Sequence, residues 1–166
     1  MSRLSFVVYQ IRTARHYTGS LLDGLEPDQW FRQPEEGVTH VAWQAGHLAA
    51  AEYSLTLRRM RGTREGDAEL ISEGFLKQFG KGSSPEADPG KYPSAEEIRG
   101  VFERVHKQAI EELGELPEAV LDEPVDKPHP MFSTKGGALA FCSLHEMIHA
   151  GQIGLLRRLL GCAPLR

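Results

Sequence analysis

Apolar side chains recur at helical spacing in four long stretches of this chain. The first stretch runs from about Ser2 to Leu22, where Asp23-Gly24 ends the pattern, and the second runs from about Thr39 to Arg61. The third begins at the capping-box sequence Ser94-Ala95-Glu96-Glu97, and the last spans about Lys135 to Leu160. Because no array of alternating strands lies between them, the pattern predicts an all-α protein.

The longest connection lies between the second and third stretches. It covers Gly62 to Pro93, is rich in glycine, proline and serine, and contains a predicted short helix at about Ala68 to Gln78. A connection of this length can run back along the helices, so the two helices that it joins would lie parallel, whereas shorter links favour antiparallel neighbours. We therefore expect a four-helix bundle of up-down-down-up topology, with a long crossover between helices 2 and 3.

The length and charge of the chain are those of one ordinary globular domain. Its 166 residues can bury one substantial core, so we expect a single domain over residues 1–166. A formal net charge of −4 argues against a nucleic-acid partner. We interpret a group of four arginines as positive charge near a helix C-terminus, where it complements the helix dipole. The group consists of Arg58, Arg59, Arg61 and Arg64.

The sequence also predicts where the protein works. No stretch reaches the roughly 18 apolar residues that cross a bilayer, and Gln10, Arg12 and Arg15 interrupt the region where a signal core would lie. We expect no membrane partner and a cytoplasmic location. The two cysteines, Cys142 and Cys162, are too few for a disulfide framework, and Cys142 is expected to be a small core residue.

Three histidines carry the best clue to chemistry. His145 and His149 are one helical turn apart, so their side chains project from the same side of the last helix, and His47 lies in the second helix. At about 100° per residue, the pair falls inside the apolar stripe, with Gln152 beside it and Glu146 outside it. We therefore expect the histidines to point into the core, and small residues near His47 to leave room for a ligand. Those small residues are Ala50, Ala51 and Ser54.

A metal ion would satisfy all three imidazoles at once. Taken singly, each histidine is also compatible with an ordinary core or rim position. Several buried imidazoles need partners, however, because an unpaired buried polar group costs about 1–3 kcal/mol. Gln152 and His40 are candidates to hydrogen-bond the ligating imidazoles. His40 is alternatively a fourth ligand or the residue that starts its helix, and His16, His106 and His129 are expected at the surface or rim.

These motifs resemble those of the DinB/YfiT-like family of metal-dependent enzymes. The resemblance rests on Trp43-Gln44-Ala45-Gly46-His47-Leu48, on the segment from His145 to Ile153, and on Phe79-Gly80-Lys81-Gly82-Ser83-Ser84-Pro85 between them. It implies a four-helix bundle, often a homodimer, that binds a divalent cation, zinc or nickel, through three histidines. Matched position by position, those ligands are His47, His145 and His149.

The resemblance leaves three functions open. Some relatives transfer low-molecular-weight thiols such as mycothiol, bacillithiol or glutathione, which favours a thiol S-transferase acting on a small electrophile. A metal-dependent hydrolase and a non-catalytic metal- or ligand-binding bundle are the alternatives, and the catalytic residues are unknown. His145-Glu146-Met147-Ile148-His149 also matches the HExxH pattern of metalloproteases. We do not favour proteolysis, because the third histidine is upstream on another helix and no surrounding sheet is predicted.

Overall fold

A computed structural model of the chain describes residues 1–165, except for the side chain of Pro128, and it is mostly helical. Arg166, the last residue of the predicted domain, lies outside the described residues. The helices are α1 (Arg3–Leu22), α2 (Val41–Tyr53), α3 (Asp67–Leu70), α4 (Glu73–Phe79), α5 (Ala95–Gly114) and α6 (Lys135–Leu159). Short 3-10 turns cover Pro27–Trp30, Pro89–Lys91 and Glu118–Asp122. The four long helices match the four apolar patterns of the sequence.

The helix starts follow the side chains that the sequence places there. The Ser2 hydroxyl accepts a hydrogen bond from the first turn of α1. Ser94 and Glu97 form the predicted reciprocal capping box at the start of α5. Thr134 caps α6, because its hydroxyl accepts from a backbone N–H at 3.1 Å. These bonds satisfy backbone donors that the first turn of a helix leaves without partners.

The second helix differs from its predicted form at its C-terminal end. Its α-helical part ends at Tyr53, and a π-helical turn follows over Ser54–Arg58. One more α-helical turn, Arg59–Arg61, completes the rod, and Gly62 ends it with a φ of +78°. The prediction of a helix to Arg61 is therefore confirmed in extent but missed the wider turn. A π-helical turn holds one extra residue, so it shifts the facing of every residue after it.

A small β-hairpin precedes α6, and the sequence analysis did not predict it. Strand β1 (Pro124–His129) pairs antiparallel with β2 (Phe132–Thr134), with an irregularity between the two ends of the ladder. The prolines of this segment are typical of a loop, so the sequence indicated a connection without secondary structure. A two-stranded sheet consists of edge strands alone, and edge strands tolerate proline because it has no N–H to donate.

Each of the four long helices packs against two of the others. α1 contacts α6 and α5, and α2 contacts α5 and α6. Their apolar sides enclose a core that is continuous with α4 through the buried rings of Phe75 and Phe79. Among the described residues, no helix is both long and apolar enough to cross a bilayer. The contact between α2 and α6 places His47 opposite the two histidines of α6.

The buried side of α6 is not the side that the sequence analysis predicted. Glu146, expected outside the apolar stripe, is buried, and so is Arg157, whereas Gln152 is exposed. His145 and His149 are half-buried at the rim of the core. The reason is that α6 packs against α1 as well as α2, and α1 supplies partners for the two charged residues.

Candidate metal centre

The structure brings the three predicted ligands to one place. One ring nitrogen from each of His47, His145 and His149 lies within 4.8 Å of the other two. Nε2 of His47 is 3.4 Å from Nε2 of His145, and the ring centroids of His145 and His149 are 4.5 Å apart. We call these three residues the histidine cluster. Its geometry could hold a metal ion.

Two contacts fix the ring of His47. Its Nδ1 is 2.7 Å from the backbone carbonyl oxygen of Phe79 and donates to it. The indole of Trp43 stacks on the same ring, with centroids 4.8 Å apart and planes 8° from parallel. Trp43 is itself held, because its indole N–H donates to the hydroxyl of Ser83 at 3.2 Å. Since Nδ1 carries the proton, the lone pair of Nε2 is directed at the other two histidines.

Gly46 allows Phe79 to approach closely enough for this contact. A Cβ on Gly46 would lie 2.4 Å from a carbon of the Phe79 ring, which no packed structure tolerates. The Phe79 ring is completely buried and packs against α2 at Gly46. The backbone carbonyl of Phe79 can therefore reach His47, because Gly46, the residue before His47, has no side chain.

A second hydrogen-bonded chain orients His149. Nδ1 of His149 donates to Oε1 of Gln44 in a short hydrogen bond. The amide nitrogen of Gln44 donates to the hydroxyl of Thr39 at 3.1 Å, which fixes the amide so that its oxygen faces the imidazole. Gln44 is almost fully buried. Like His47, His149 therefore keeps its Nε2 lone pair for another partner.

Burial keeps these imidazoles neutral. Desolvation, reinforced by the neighbouring imidazoles, lowers the pKa of His145 to about 4 and the pKa of His149 to about 3. Desolvation also lowers the pKa of His47, although its hydrogen bond to Phe79 opposes the shift. Near neutral pH all three rings are therefore neutral imidazoles, the form in which histidine binds a metal.

The donor set fits a divalent transition metal. Imidazole nitrogens bind zinc at about 2.0–2.1 Å in tetrahedral sites, which separates two neighbouring nitrogens by about 3.3–3.4 Å. The 3.4 Å between the Nε2 atoms of His47 and His145 agrees with this spacing. No carboxylate or thiol of the described residues joins the group. Three protein ligands leave at least one position for a further ligand, as in catalytic rather than structural zinc sites.

A cavity of about 480 Å³ adjoins the cluster, and His47 and His145 form part of its wall. The predicted room beside His47 is confirmed, since small residues of α2 and of the π-helical turn after it line the cavity. They are Ala50, Ala51 and Ser54. Phe141 and His129 form the opposite wall, with ring centroids 5.2 Å apart. His129 lies at the rim as expected, but the hairpin brings it to the site, and no sequence motif indicated that.

The sequence comparison agrees with this arrangement. A family model described as the DinB superfamily matches residues 10–153, a range that contains all three histidines. The chain belongs to the DinB superfamily. The resemblance drawn from the motifs is thereby confirmed. No curated protein matches this DinB chain.

Two further candidates from the sequence lie elsewhere in the DinB fold. Gln152 is exposed, and the hydrogen bonds of the described residues do not join it to a histidine. Gln44 instead makes the hydrogen bond to an imidazole that was predicted for Gln152, because the face of α6 that carries Gln152 points away from α2. His40 is buried at the start of α2, where its Nδ1 accepts from the backbone N–H of Trp43 at 3.1 Å. It is the residue that starts the helix and does not join the cluster.

Glu146 has a partner that excludes the metalloprotease role. Its Oε2 is 3.0 Å from the guanidinium of Arg15, which also lies 2.7 Å from Oε2 of Glu52. Oε1 of Glu52 accepts from Nδ1 of His106 at 2.7 Å. His106, expected at the surface or rim, is thus tied to a buried carboxylate. We call Arg15, Glu52 and Glu146 the ionic cluster.

Proposed function

We propose that this DinB protein binds one divalent transition metal, zinc or nickel, through His47, His145 and His149, and that it transfers a low-molecular-weight thiol to a small electrophile. The observation that carries the proposal is the set of three neutral imidazoles converging beside a cavity. Neutral ligands leave the ion its full charge. A thiol that enters the remaining position would lose its proton more easily than in water.

The chain itself supplies position and shape. Phe79 and Trp43 hold His47, and Gln44 holds His149, so two of the three imidazoles are oriented before any ion arrives. The cavity beside them has room for the electrophile, and half-buried walls exclude much of the surrounding water. Holding both reactants at contact distance is itself a large part of the rate that such a site provides.

A thiol panel tests the reaction. Zinc- or nickel-loaded protein is mixed with bacillithiol, mycothiol or glutathione and an aryl halide, and thioether formation is followed. We expect a rate that needs both metal and thiol and that is lost in His149→Ala. His16→Ala is the matched control, because His16 is an exposed histidine of α1.

The other outcomes separate the competing functions. Metal-dependent hydrolysis of esters or amides without thiol transfer would establish the hydrolase. Metal binding without either reaction over a broad panel would establish a binding protein.

We further propose a homodimer that forms through the outer side of α6. Several large apolar side chains there are 46–60% exposed. They are Leu144, Met147, Ile148, Leu155 and Leu159. An apolar strip of this kind is typical of an interface between copies. Light scattering should show a dimer that Ile148→Glu converts to a monomer, whereas Met131→Glu, a change in the exposed hairpin, leaves the dimer intact.

Topology and location complete the proposal. We propose that α1, α2, α5 and α6 form a four-helix bundle of up-down-down-up topology, which the neighbour contacts and the long connection from α2 to α5 support. We also propose a cytoplasmic location, because Cys142 and Cys162 are both free thiols.

A further inference from the structure

The cavity beside the histidine cluster is lined by basic residues. Arg58, Arg59 and Lys81 line it together with His47 and His145. Among the described residues that form its wall, none is acidic. The cavity therefore combines two imidazoles of the histidine cluster with three cationic side chains, although the whole chain is acidic, with a net charge of −4.

The arginines after the π-helical turn divide into two kinds. Arg61 binds Asp67 at 2.8 Å and Glu112 at 2.6 Å, and Arg64 binds Glu112 at 3.2 Å. Arg58 and Arg59, in contrast, form no ion pair with the described residues. The sequence analysis treated the group as one helix-end charge, but only part of it is neutralised within the fold.

The π-helical turn directs Arg59 toward the cavity. On a regular α-helix, Arg59 would lie about 120° around the axis from His47. The turn over Ser54–Arg58 accommodates one extra residue, which sets the following residues back by about 100°. Arg59 consequently shares a side of the helix with His47, and both line the cavity. Such turns are frequent at functional sites.

Neutral acceptors hold both guanidinium groups without cancelling their charge. Arg59 donates to the backbone carbonyl of Lys127 at 3.0 Å and lies 4.9 Å from the centroid of the Phe132 ring. Arg58 donates to the hydroxyl of Ser54. Asp126 acts electrostatically on Arg59 and lines a second pocket with both arginines, but it does not line the cavity beside the histidine cluster. Two positioned cations, one exposed (Arg58) and one half-buried (Arg59), favour an anion between them.

We propose that the cavity selects substrates with a carboxylate, which Arg58 and Arg59 bind while the reacting end lies at the histidine cluster. The second half of this statement rests on the proposed function, and the first half does not. A guanidinium matches a carboxylate with paired N–H donors, and Lys81 adds a point charge to the same cavity. Phe141 offers an apolar wall for the body of the molecule.

Phenylacetate and phenylacetamide test the carboxylate site, because they share a shape and differ in charge. Calorimetric titration of metal-free protein should show phenylacetate binding about tenfold more tightly. The preference should disappear in the double variant Arg58→Gln, Arg59→Gln and shrink with added salt. Arg12→Gln is the matched control, since Arg12 is exposed on α1 and lines a different groove. It should keep the full preference.

Two results would overturn the carboxylate site. One is equal or undetectable binding of both probes by the wild type, and the other is an undiminished preference in the double variant with its helical signal intact. Because Arg59 also packs on Phe132, Arg58→Gln alone is included as the less disruptive change and should give a partial loss. Zinc titration of the same proteins is read separately. Failure to bind zinc contradicts the proposed function and leaves the preference for phenylacetate standing.

Discussion

Two polar clusters lie between α2 and α6, and they are built in opposite ways. The ionic cluster joins Glu52 and Glu146 to Arg15, and each of these side chains is at most 5% exposed. The histidine cluster is close to the ionic cluster in the chain, because Glu146 directly follows His145. Its side chains, however, are half-buried, and the cluster faces a cavity. The same two helices thus carry one closed site and one open site.

The difference shows which buried polar groups have capacity left for a ligand. In the ionic cluster the charges face one another, and Arg15 also donates to the Phe102 carbonyl and lies over its ring, 3.6 Å from the centroid. Burial raises the pKa of Glu146, and Arg15 opposes that shift. In the histidine cluster, hydrogen bonds occupy the Nδ1 atoms of His47 and His149 and leave Nε2 unused. The first cluster supports the fold, and the second can bind.

The largest effect is expected from breaking the closed site. Arg15→Ala leaves two buried carboxylates facing each other, and loss of one partner of a buried ion pair costs about 3–5 kcal/mol. We expect a loss of this size in the free energy of unfolding from urea titration. Arg3→Ala, which removes exposed pairs with Asp122 and Glu118, should have a much smaller effect. Equal effects of the two changes would contradict the contrast between buried and exposed pairs.

Gly46→Ala should damage the open site through its packing. The new methyl group would overlap the Phe79 ring, and overpacking of a core costs about 1–3 kcal/mol. Displacement of Phe79 also removes the acceptor for His47, so zinc affinity should fall along with stability. Gly151→Ala provides the control, since nothing lies near its Cβ position. That change should be neutral or stabilise α6 by up to about 1 kcal/mol. An unaltered zinc affinity in Gly46→Ala would show that His47 needs no support from Phe79.

Gln44→Ala should weaken metal binding although it leaves all three histidines in place, because it removes the hydrogen-bond acceptor that orients His149. Loss of the group that orients a ligating histidine typically lowers metal affinity by about 10–100-fold. Competition titration with a zinc chelator measures the change. Gln152→Ala is the matched glutamine control and should bind zinc like the wild type, because Gln152 is exposed. If the control weakened binding as much as Gln44→Ala, the orientation of His149 by Gln44 would not be the cause.

A further prediction concerns the pH dependence of the metal-free protein. The pKa values of His145 and His149, about 4 and about 3, lie below the 6.5 of an unperturbed imidazole. Between these values the unfolded chain binds more protons than the folded one, so the free energy of unfolding decreases as the pH falls from about 6.5 toward 4. The double variant His145→Ala, His149→Ala should show a shallower decrease in urea titrations across this range. An identical slope would indicate that the imidazoles titrate alike in both states.

The sequence predicted the long helices well because their starts and stops depend on local chemistry. The capping box at Ser94 was confirmed, and like the cap at Thr134 it involves residues only three positions apart. The π-helical turn and the hairpin depend on contacts with distant parts of the chain. Arg59, for example, bonds to Lys127 of β1. No local pattern contains such a contact.

The sequence predicted only part of the site, because the rest of the site also depends on contacts between distant parts of the chain. Spacing on one helix identifies His145 and His149, and the family motif adds His47. The buried side of α6 was misjudged because the hydrophobic pattern treats Glu146 as polar, whereas Arg15, 131 positions away, makes its burial possible. The roles of Gln44 and Phe79 likewise appear only when α2, α4 and α6 are assembled.

The most direct test of the metal centre is anomalous diffraction from crystals grown with zinc or nickel, collected at the absorption edge of that metal. The account predicts one ion within about 2.0–2.1 Å of the Nε2 atoms of His47, His145 and His149, with a remaining position that faces the cavity. An ion bound elsewhere, or one closed off by a fourth protein ligand, would contradict it.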